Sequence, residues 1–269
     1  MSATPEPARI PAMERWWRWV GPALLLAVAV IVWELWVRFY DTPAWLLPSP
    51  SAIGRALVDD RALLARHGWV TLREVIAGFA VALVAGVLLA VAIDALPLVS
   101  RAVYPLVIAS QAIPIVALAP LLLVWFGYGL APKVIVTTLV AFFPIVVTTV
   151  DGLRATDREA LDLVRAMGGS GWTRFRLVKA PSALPALFSG ARIGVSVAVI
   201  GAVFGEYVGA NSGLGYLMNI SSGRLLTARV FGCIVLLAAM AIGLFGVVAG
   251  LERLLLPWRR HVTADGKRA

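Results

Sequence analysis

The sequence predicts an all-α integral membrane protein with about six transmembrane helices. Of its 269 residues, 60% are hydrophobic and 14% are charged, and the mean hydropathy is +0.87. Soluble globular domains carry about 25% charged residues, so this composition belongs to a different class. The apolar residues also lie in runs that can cross a bilayer core of about 30 Å, which takes roughly 20 residues per helix.

Six apolar segments meet that length. They cover residues 20–39, 70–94, 102–127, 132–151, 183–209 and 229–252. The first could be taken for a signal peptide, but it contains Glu34 and no small-residue cleavage site follows it. We therefore predict a retained membrane anchor. Three prolines within the later segments, Pro114, Pro120 and Pro144, are expected to bend their helices.

The predicted spans divide the chain into four parts. Residues 1–40 form the cytoplasmic N-terminus and the first span, 41–69 an extracytoplasmic segment, 70–256 the membrane core, and 257–269 a basic cytoplasmic tail. The extracytoplasmic segment is expected to hold a short interfacial helix with Ser51 as its N-cap.

The formal net charge of +9 reflects membrane topology rather than nucleic-acid binding. No run of five or six basic residues occurs, and the positive charges cluster between and after the apolar spans. With six spans, one face receives fifteen Lys and Arg residues: three before the first span, Arg101, six from Arg154 to Lys179, and five from Arg253 onward. The opposite face receives eight. The positive-inside rule makes the first face cytoplasmic, with both termini there and with anionic lipid or a protein as its partner.

Patterns for metal binding and for catalysis are missing from the sequence. Cys233 is the single cysteine, and His67 and His261 lack ligand-like spacing. Neither a His-Glu-x-x-His nor a Gly-x-Ser-x-Gly pattern occurs, which disfavours a membrane enzyme. We expect no cofactor on this chain.

A polar segment, 152–182, separates the fourth and fifth spans and holds six of the 24 Lys and Arg residues. Thr156 and Glu159 match a capping box, which predicts a helix from about residue 157 to 167. Gly168 follows, and glycine readily adopts the positive φ that ends a helix. Ser170 is expected to cap a second helix, which Pro181 stops.

This polar segment resembles the cytoplasmic coupling segment of bacterial ATP-binding-cassette importer permeases. The pattern of that family reads Glu-Ala-Ala, three residues, Gly, nine residues, Ile, one residue, Leu-Pro. Aligned on Gly168, it places Asp162, Leu163 and Val164 at its first positions and Val178, Ala180 and Pro181 at its end. Gly168 and Pro181 match outright, Asp and Val keep the character of Glu and Ile, and the two alanines are replaced.

Flanking segments extend the resemblance over about residues 47–256. They are Leu47–Pro50, Leu122–Gly129, Ala141–Ile145 and Glu206–Leu217. All four are similar to the permease branch that serves nitrate, sulfonate, taurine and pyrimidine-precursor importers. The resemblance implies the type I importer permease fold, and it leaves open which of these small polar solutes is carried.

In that family two permease chains, commonly identical, lie in the bacterial inner membrane between an extracytoplasmic substrate-binding protein and two ATPase subunits. This chain lacks the phosphate-loop pattern Gly-x-x-x-x-Gly-Lys-Ser/Thr, so ATP and Mg²⁺ are expected on the partner subunits. The resemblance implies that the chain forms the solute pathway as a non-catalytic subunit. It assigns ATPase docking to Asp162, Leu163, Val164, Ala166, Met167, Gly168 and Pro181.

Three polar residues of the fifth span are candidates for the pathway: Arg192, Ser196 and Glu206. A charge near the bilayer centre costs at least about 2.5 kcal/mol and usually faces protein or a water cavity. Two interpretations stay open, since Arg192 could instead snorkel to the cytosol while Glu206 braces the following loop. Small residues from Gly190 to Gly205 permit close helix approach, and we expect this span to line the dimer axis.

A self-contained channel or an ion-coupled secondary transporter is the alternative function. Such a protein has no need of a segment that docks an ATPase. No inverted-topology repeat of the kind many secondary transporters contain is visible in the sequence.

Overall fold

The computed structural model describes residues 12–257, and every regular element within them is helical. In chain order these are α1 (Ala12–Phe39), α2 (Pro50–Asp59), α3 (Arg61–Ala95), α4 (Pro97–Ser110), α5 (Ile115–Phe126), α6 (Leu130–Arg154), α7 (Arg158–Ala166), α8 (Gly171–Arg174), a π-helical turn (Phe175–Lys179), α9 (Ala180–Gly209), α10 (Leu214–Gly223) and α11 (Thr227–Leu255). The predicted cytoplasmic residues 1–11, and all of the predicted basic tail except its first residue, Pro257, lie outside this range.

Within residues 12–257, five helical stretches are long and apolar enough to cross a membrane: Val20–Phe39, Arg61–Ala95, Leu130–Arg154, Gly171–Gly209 and Thr227–Leu255. They correspond to five of the six predicted spans and confirm the all-α membrane fold. The second span begins at Arg61 rather than at residue 70. At 35 residues, α3 is longer than a bilayer core requires.

The predicted span 102–127 is wrong as a single helix. The chain is interrupted after Ser110 and resumes as a helix at Ile115. Pro114 explains the break, because it has no N–H to donate and biases the residue before it away from helical angles. Pro114 itself has an extended ψ of 109°. The other two predicted bend sites, Pro120 and Pro144, lie inside α5 and α6.

The short helix predicted within 41–69 is α2, but its N-cap is Ser49 and not Ser51. The Ser49 hydroxyl accepts a hydrogen bond from the Ala52 N–H at 3.3 Å, and Pro50 occupies the first turn, where its missing N–H costs nothing. Ser51 instead donates to the Glu34 carboxylate of α1, from its N–H at 2.9 Å and from its hydroxyl at 2.8 Å. Glu34 therefore fastens α1 to α2.

The core of the bundle is the contact between α6 and α9, which pack against each other more extensively than any other helix pair in the described part of the chain. A Cβ added at Gly194 would lie 3.1 Å from the Ala141 carbonyl oxygen, and one at Gly201 would lie 3.0 Å from the Thr137 Cα. The predicted close approach is confirmed. Its partner is α6 of the same chain.

The helix ends fall into two groups. At one end, which we call the α7 end, Lys179 pairs with Asp94 at 2.8 Å beside α7 and α8. At the other, the α10 end, Arg229 of α11 pairs with Asp60 at 2.7 Å, near α10. The α6–α9 pair connects the two groups, since α6 begins near the α10 end and runs to Arg154 at the α7 end.

Replacing Gly201 with leucine should destabilise the protein. The added side chain meets the α6 backbone, and overpacking of this kind costs about 1–3 kcal/mol. Gly246→Leu on α11 is the matched control, because no described residue lies within 4 Å of a Cβ at that position. Thermal unfolding of the detergent-purified variants measures the difference, and equal midpoints for the two variants would contradict the packing described here.

Candidate functional site

The polar segment forms a helical pair at the α7 end, but its first helix is capped by Asp157 rather than by Thr156. The Asp157 carboxylate accepts a hydrogen bond from the Glu159 N–H at 2.9 Å. The Thr156 hydroxyl is buried and donates to the Leu153 carbonyl at 2.9 Å. The predicted capping box fails because the preceding helix, α6, uses the Thr156 hydroxyl at its own carboxyl end.

Gly168 ends α7 as predicted, with a φ of +80°. The N–H of Gly169 donates to the Val164 carbonyl at 2.9 Å, and the N–H of Gly168 donates to the Arg165 carbonyl at 3.0 Å. These two bonds form a Schellman motif, which satisfies carbonyls that a helix end otherwise leaves free. The motif fixes where the chain leaves α7 and where α8 starts.

The second helix begins where predicted, since Ser170 accepts a hydrogen bond from the Thr173 N–H at 3.2 Å. It does not stop at Pro181. The chain widens into the π turn Phe175–Lys179 and continues as α9. A proline inside a helix clashes with the carbonyl four residues earlier, and a proline in a helix's first turn lacks only an N–H that has no partner there. The π turn places Pro181 in the first turn of α9.

The predicted docking residues lie on an exposed surface. Leu163 is 62% exposed and Met167 is 80% exposed, although both side chains are apolar. Asp162, Ala166 and Gly168 are also exposed, whereas Val164 and Pro181 are half-buried. No residue of α7 is buried against the rest of the described chain. We call Asp162, Leu163, Ala166, Met167 and Gly168 the α7 surface.

The chain on either side of the helical pair is anchored to the membrane helices by charged and aromatic contacts. Lys179 donates to both carboxylate oxygens of Asp94, at 2.8 and 2.9 Å. Arg154 donates to the Ser100 hydroxyl at 2.9 Å and lies 4.8 Å from the centre of the Tyr104 ring. These contacts tie the end of α6 and the start of α9 to the end of α3 and to α4.

Glu206 lies at the α10 end, buried in a hydrogen-bond network. Its carboxylate accepts from the Thr71 hydroxyl at 2.7 Å and from the Gly215 N–H at 2.6 Å. Thr71 accepts in turn from the Leu214 N–H at 2.9 Å, and the His67 Nδ1 accepts from the Gly213 N–H at 3.0 Å. Together these bonds hold the start of α10 against α3 and α9, which favours the bracing interpretation of Glu206.

A buried ion pair joins Lys133 and Glu74, neither of which is among the predicted site residues. The Lys133 ammonium lies 2.7 Å from a Glu74 carboxylate oxygen and 3.5 Å from the Ser212 carbonyl. Both side chains are less than a tenth exposed. Glu74 was detectable as an acidic residue inside the second predicted span, and Lys133 as a basic residue at the start of the fourth, which was counted only with the opposite face. A cleft of about 250 Å³ opens beside them, lined also by Asn211.

The remaining pathway candidates lie in a separate cluster. Arg192 pairs with Glu252 of α11 at 3.3 Å, donates to the Ser189 hydroxyl at 3.2 Å and lies 5.8 Å from the centre of the Phe245 ring. The Ser196 hydroxyl donates to the Arg192 carbonyl at 3.0 Å. The structure therefore groups Arg192 with Ser196 and places Glu206 in another network.

The chain matches the model of a family described as "Binding-protein-dependent transport system inner membrane component" over residues 82–261. It is 40% identical to the formylaminopyrimidine transport permease protein of Halalkalibacterium halodurans, covering 92% of this chain and 99% of that protein. It is 37% identical to the riboflavin transport system permease protein of Chloroflexus aurantiacus, covering 93% and 94%. The taurine transport system permease protein of Escherichia coli is 26% identical over 88% and 89%.

Among solved structures, an inward-facing form of the MetNI methionine ABC transporter superposes with a TM-score of 0.63. It covers 73% of this chain and 97% of the matched chain at 24% sequence identity. A likeness at this identity supports the fold.

Replacing Lys133 with methionine should destabilise the protein by about 3–5 kcal/mol, because Glu74 is left buried without its cation. The double variant Lys133→Met with Glu74→Gln should recover much of that loss. Unfolding of both single variants and of the double variant in detergent gives the coupling energy. Additive effects of the two single substitutions would show that the pair does not act as a unit.

Proposed function

Because the chain belongs to the family of binding-protein-dependent transport system inner membrane components, we propose that it is the membrane-spanning subunit of an ATP-driven importer. Its role is to form the pathway for a small polar solute rather than to catalyse a reaction. The observation that carries this proposal is the α7 surface, a short capped helix with exposed apolar side chains that nothing else in residues 12–257 covers.

The α7 surface has the composition of a docking site for a protein in the cytosol. Leu163 and Met167 supply apolar contact area, and Asp162 lies beside them on an exposed face. Exposed apolar patches with polar neighbours are typical of protein interaction sites. The partner is an ATPase subunit, since the sequence holds no phosphate loop of its own and an importer needs an energy source.

Movement of α7 reaches the membrane through a continuous helical path. α8, the π turn and α9 together run from Gly171 to Gly209, a stretch of 39 residues. At about 1.5 Å per residue this path is roughly 58 Å long. Because α9 packs closely on α6, a displacement at the α7 end moves both helices as one body. Pro181 contributes by directing the chain out of the π turn into α9.

The opposite end of the molecule is the surface for the binding protein in this proposal. The loop that enters α10 is held by Glu206, Thr71 and His67, so it presents a fixed shape. Two copies of the chain stand side by side, with two ATPase subunits on the cytosolic α7 end. Both termini are then cytosolic, in agreement with the excess of basic residues on that face.

Roles can now be assigned to the three pathway candidates. We propose that Glu206 shapes the binding-protein surface and does not contact the solute, since its oxygens already accept bonds from Thr71 and Gly215. Arg192 stays a candidate pathway residue, because 28% of its side chain is exposed. Ser196 lies one turn further along α9 and supports the Arg192 backbone.

The solute is proposed to be an uncharged nitrogen heterocycle related to pyrimidine precursors. Relatives named for formylaminopyrimidine and riboflavin are 40% and 37% identical to this chain, whereas the one named for taurine is 26% identical. Sulfonates and nitrate are the other solute classes that the test must separate.

Reconstitution in liposomes tests the function. The chain, its ATPase subunit and its binding protein should together accumulate a labelled formylaminopyrimidine only when ATP is present. Taurine is the comparison solute. Accumulation by this chain without the ATPase subunit would overturn the proposal in favour of a channel or secondary transporter, and ATP-driven uptake of taurine alone would overturn the solute assignment.

Replacing both Leu163 and Met167 with aspartate should abolish copurification of the ATPase subunit and reduce ATP-driven uptake by at least about tenfold. Losing two apolar anchors costs about 1.5–3 kcal/mol each in burial alone, and each 1.4 kcal/mol is a factor of ten in binding. The folded permease should be unaffected, since neither side chain is buried.

The matched control for this variant is Val58→Asp on α2, where an equally exposed apolar residue is replaced far from the α7 end. That variant should retain the ATPase subunit. Normal copurification of the subunit with the Leu163 and Met167 double variant would place ATPase docking elsewhere on the chain.

A further inference from the structure

The interruption between α4 and α5 has an unusual combination of properties. Residues 110–114 are all exposed, and Gln111 makes no side-chain hydrogen bond within the described part of the chain. The N–H groups of Gln111 and Ala112 donate to carbonyls three residues earlier, at 3.3 and 3.0 Å. Pro114 has no N–H, and Ala117 donates to the Pro114 carbonyl at 2.9 Å, so the helical ladder restarts there. The Gln111 carbonyl accepts no hydrogen bond from the residues that the structure describes.

This interruption lies about halfway along the path from the α7 end to the α10 end. α4 starts at the α7 end, where Arg154 reaches Ser100, and Val107, near the end of α4, belongs to an apolar cluster that extends to Ala90 and Val146. α5 ends at the α10 end, just before α6 begins. The two helices of 14 and 12 residues are about 21 and 18 Å long, so the break between them falls near the bilayer centre.

Lipid is an unsuitable neighbour for such a segment. The bilayer core offers no hydrogen-bond partner, and irregular backbone at that depth occurs where it is buried in protein or lines a water-filled cavity. Residues 110–114 are exposed in the single chain, so burial within the chain does not satisfy them. A glutamine amide facing lipid adds a further free-energy cost, because its donor and its acceptor both lose their hydrogen bonds to water. Water on this face removes both penalties.

We propose that residues 110–114 line a water-filled pathway between two copies of the chain, and that Gln111 is the polar side chain that the solute meets midway. The inference rests on the proposed function, and it names a residue outside the α9 cluster of Arg192 and Ser196. The backbone carbonyl of Gln111 adds an acceptor beside the amide.

The chemistry of this segment suits an uncharged solute. The Gln111 amide both donates and accepts hydrogen bonds, and the free Gln111 carbonyl only accepts. The segment from Ser110 to Pro114 contains no charged residue. A heterocycle with ring nitrogens and an amino group matches that pattern, whereas a sulfonate would meet the amide donor beside acceptor oxygens and no compensating positive charge.

Cysteine accessibility in the assembled importer tests the inference. Cys233 is the single cysteine and is buried, so Cys233→Ala gives a cysteine-free background. Gln111→Cys in that background should react with a charged, membrane-impermeant thiosulfonate reagent. The matched control is Ile242→Cys on α11, which is 73% exposed at a similar depth. The Gln111 variant should react at least about tenfold faster, because the thiolate that attacks the reagent forms in water and not in lipid.

The outcomes separate this inference from the proposed function. Faster reaction at Gln111→Cys, with loss of uptake after modification, supports the water-lined pathway. Equal, slow reaction at both positions while ATP-driven uptake stays intact overturns the inference and leaves the importer function standing. Uptake that needs no ATPase subunit overturns the proposed function, whatever the reactivity of the cysteine.

A transport measurement gives a second readout. Gln111→Leu, which removes the amide at similar volume, should raise the KM for uptake several-fold while the ATPase subunit still copurifies. Gln111→Asn should retain more of the affinity, since it keeps the amide. An unchanged KM for Gln111→Leu would contradict contact between Gln111 and the solute.

Discussion

The close approach of α6 and α9 is the contact on which the other features of this protein depend. Lipid offers little hydrophobic drive for helices to associate, so packing of small residues has to hold them together. Glycines along α9 let its backbone approach α6, with a Cβ at Gly205 only 3.1 Å from the Lys133 Cα. That proximity also fixes the position of Lys133 along the helix bundle, where its ammonium reaches Glu74 on α3. One interface therefore sets the position of three helices.

The same interface relates the two ends of the molecule. At the α7 end, the Asp94–Lys179 pair ties α3 to the chain that enters α9. At the α10 end, Glu206 and Thr71 tie α3 to the chain that leaves α9. α3 and α9 are thus joined at both ends, and α6 is packed against both. α4 and α5 contact this unit along one side and retain an exposed interruption between them.

The sequence was sufficient for features that depend on local chemistry. Apolar run length predicted six spans, five of which are confirmed, Gly168 predicted a positive-φ helix end, and Ser170 predicted the start of α8. Sequence-based prediction failed where another part of the chain uses the hydroxyl group that had been assigned to a helix cap. Thr156 could not cap α7 because its hydroxyl serves α6, and Ser51 could not cap α2 because Glu34 binds it. The Lys133–Glu74 pair joins residues 59 positions apart, and a composition pattern does not report such a contact.

The two neighbouring glycines after α7 tolerate substitution in opposite ways. No described residue lies within 4 Å of a Cβ added at Gly168, so the fold of the chain itself constrains only its left-handed backbone, which asparagine can also adopt. Gly169 has an ordinary backbone, but even a methyl group would lie 2.6 Å from a Val164 side-chain carbon. Gly168 is constrained by its backbone conformation, and Gly169 by the small volume available to a side chain. The two adjacent glycines therefore meet two independent constraints.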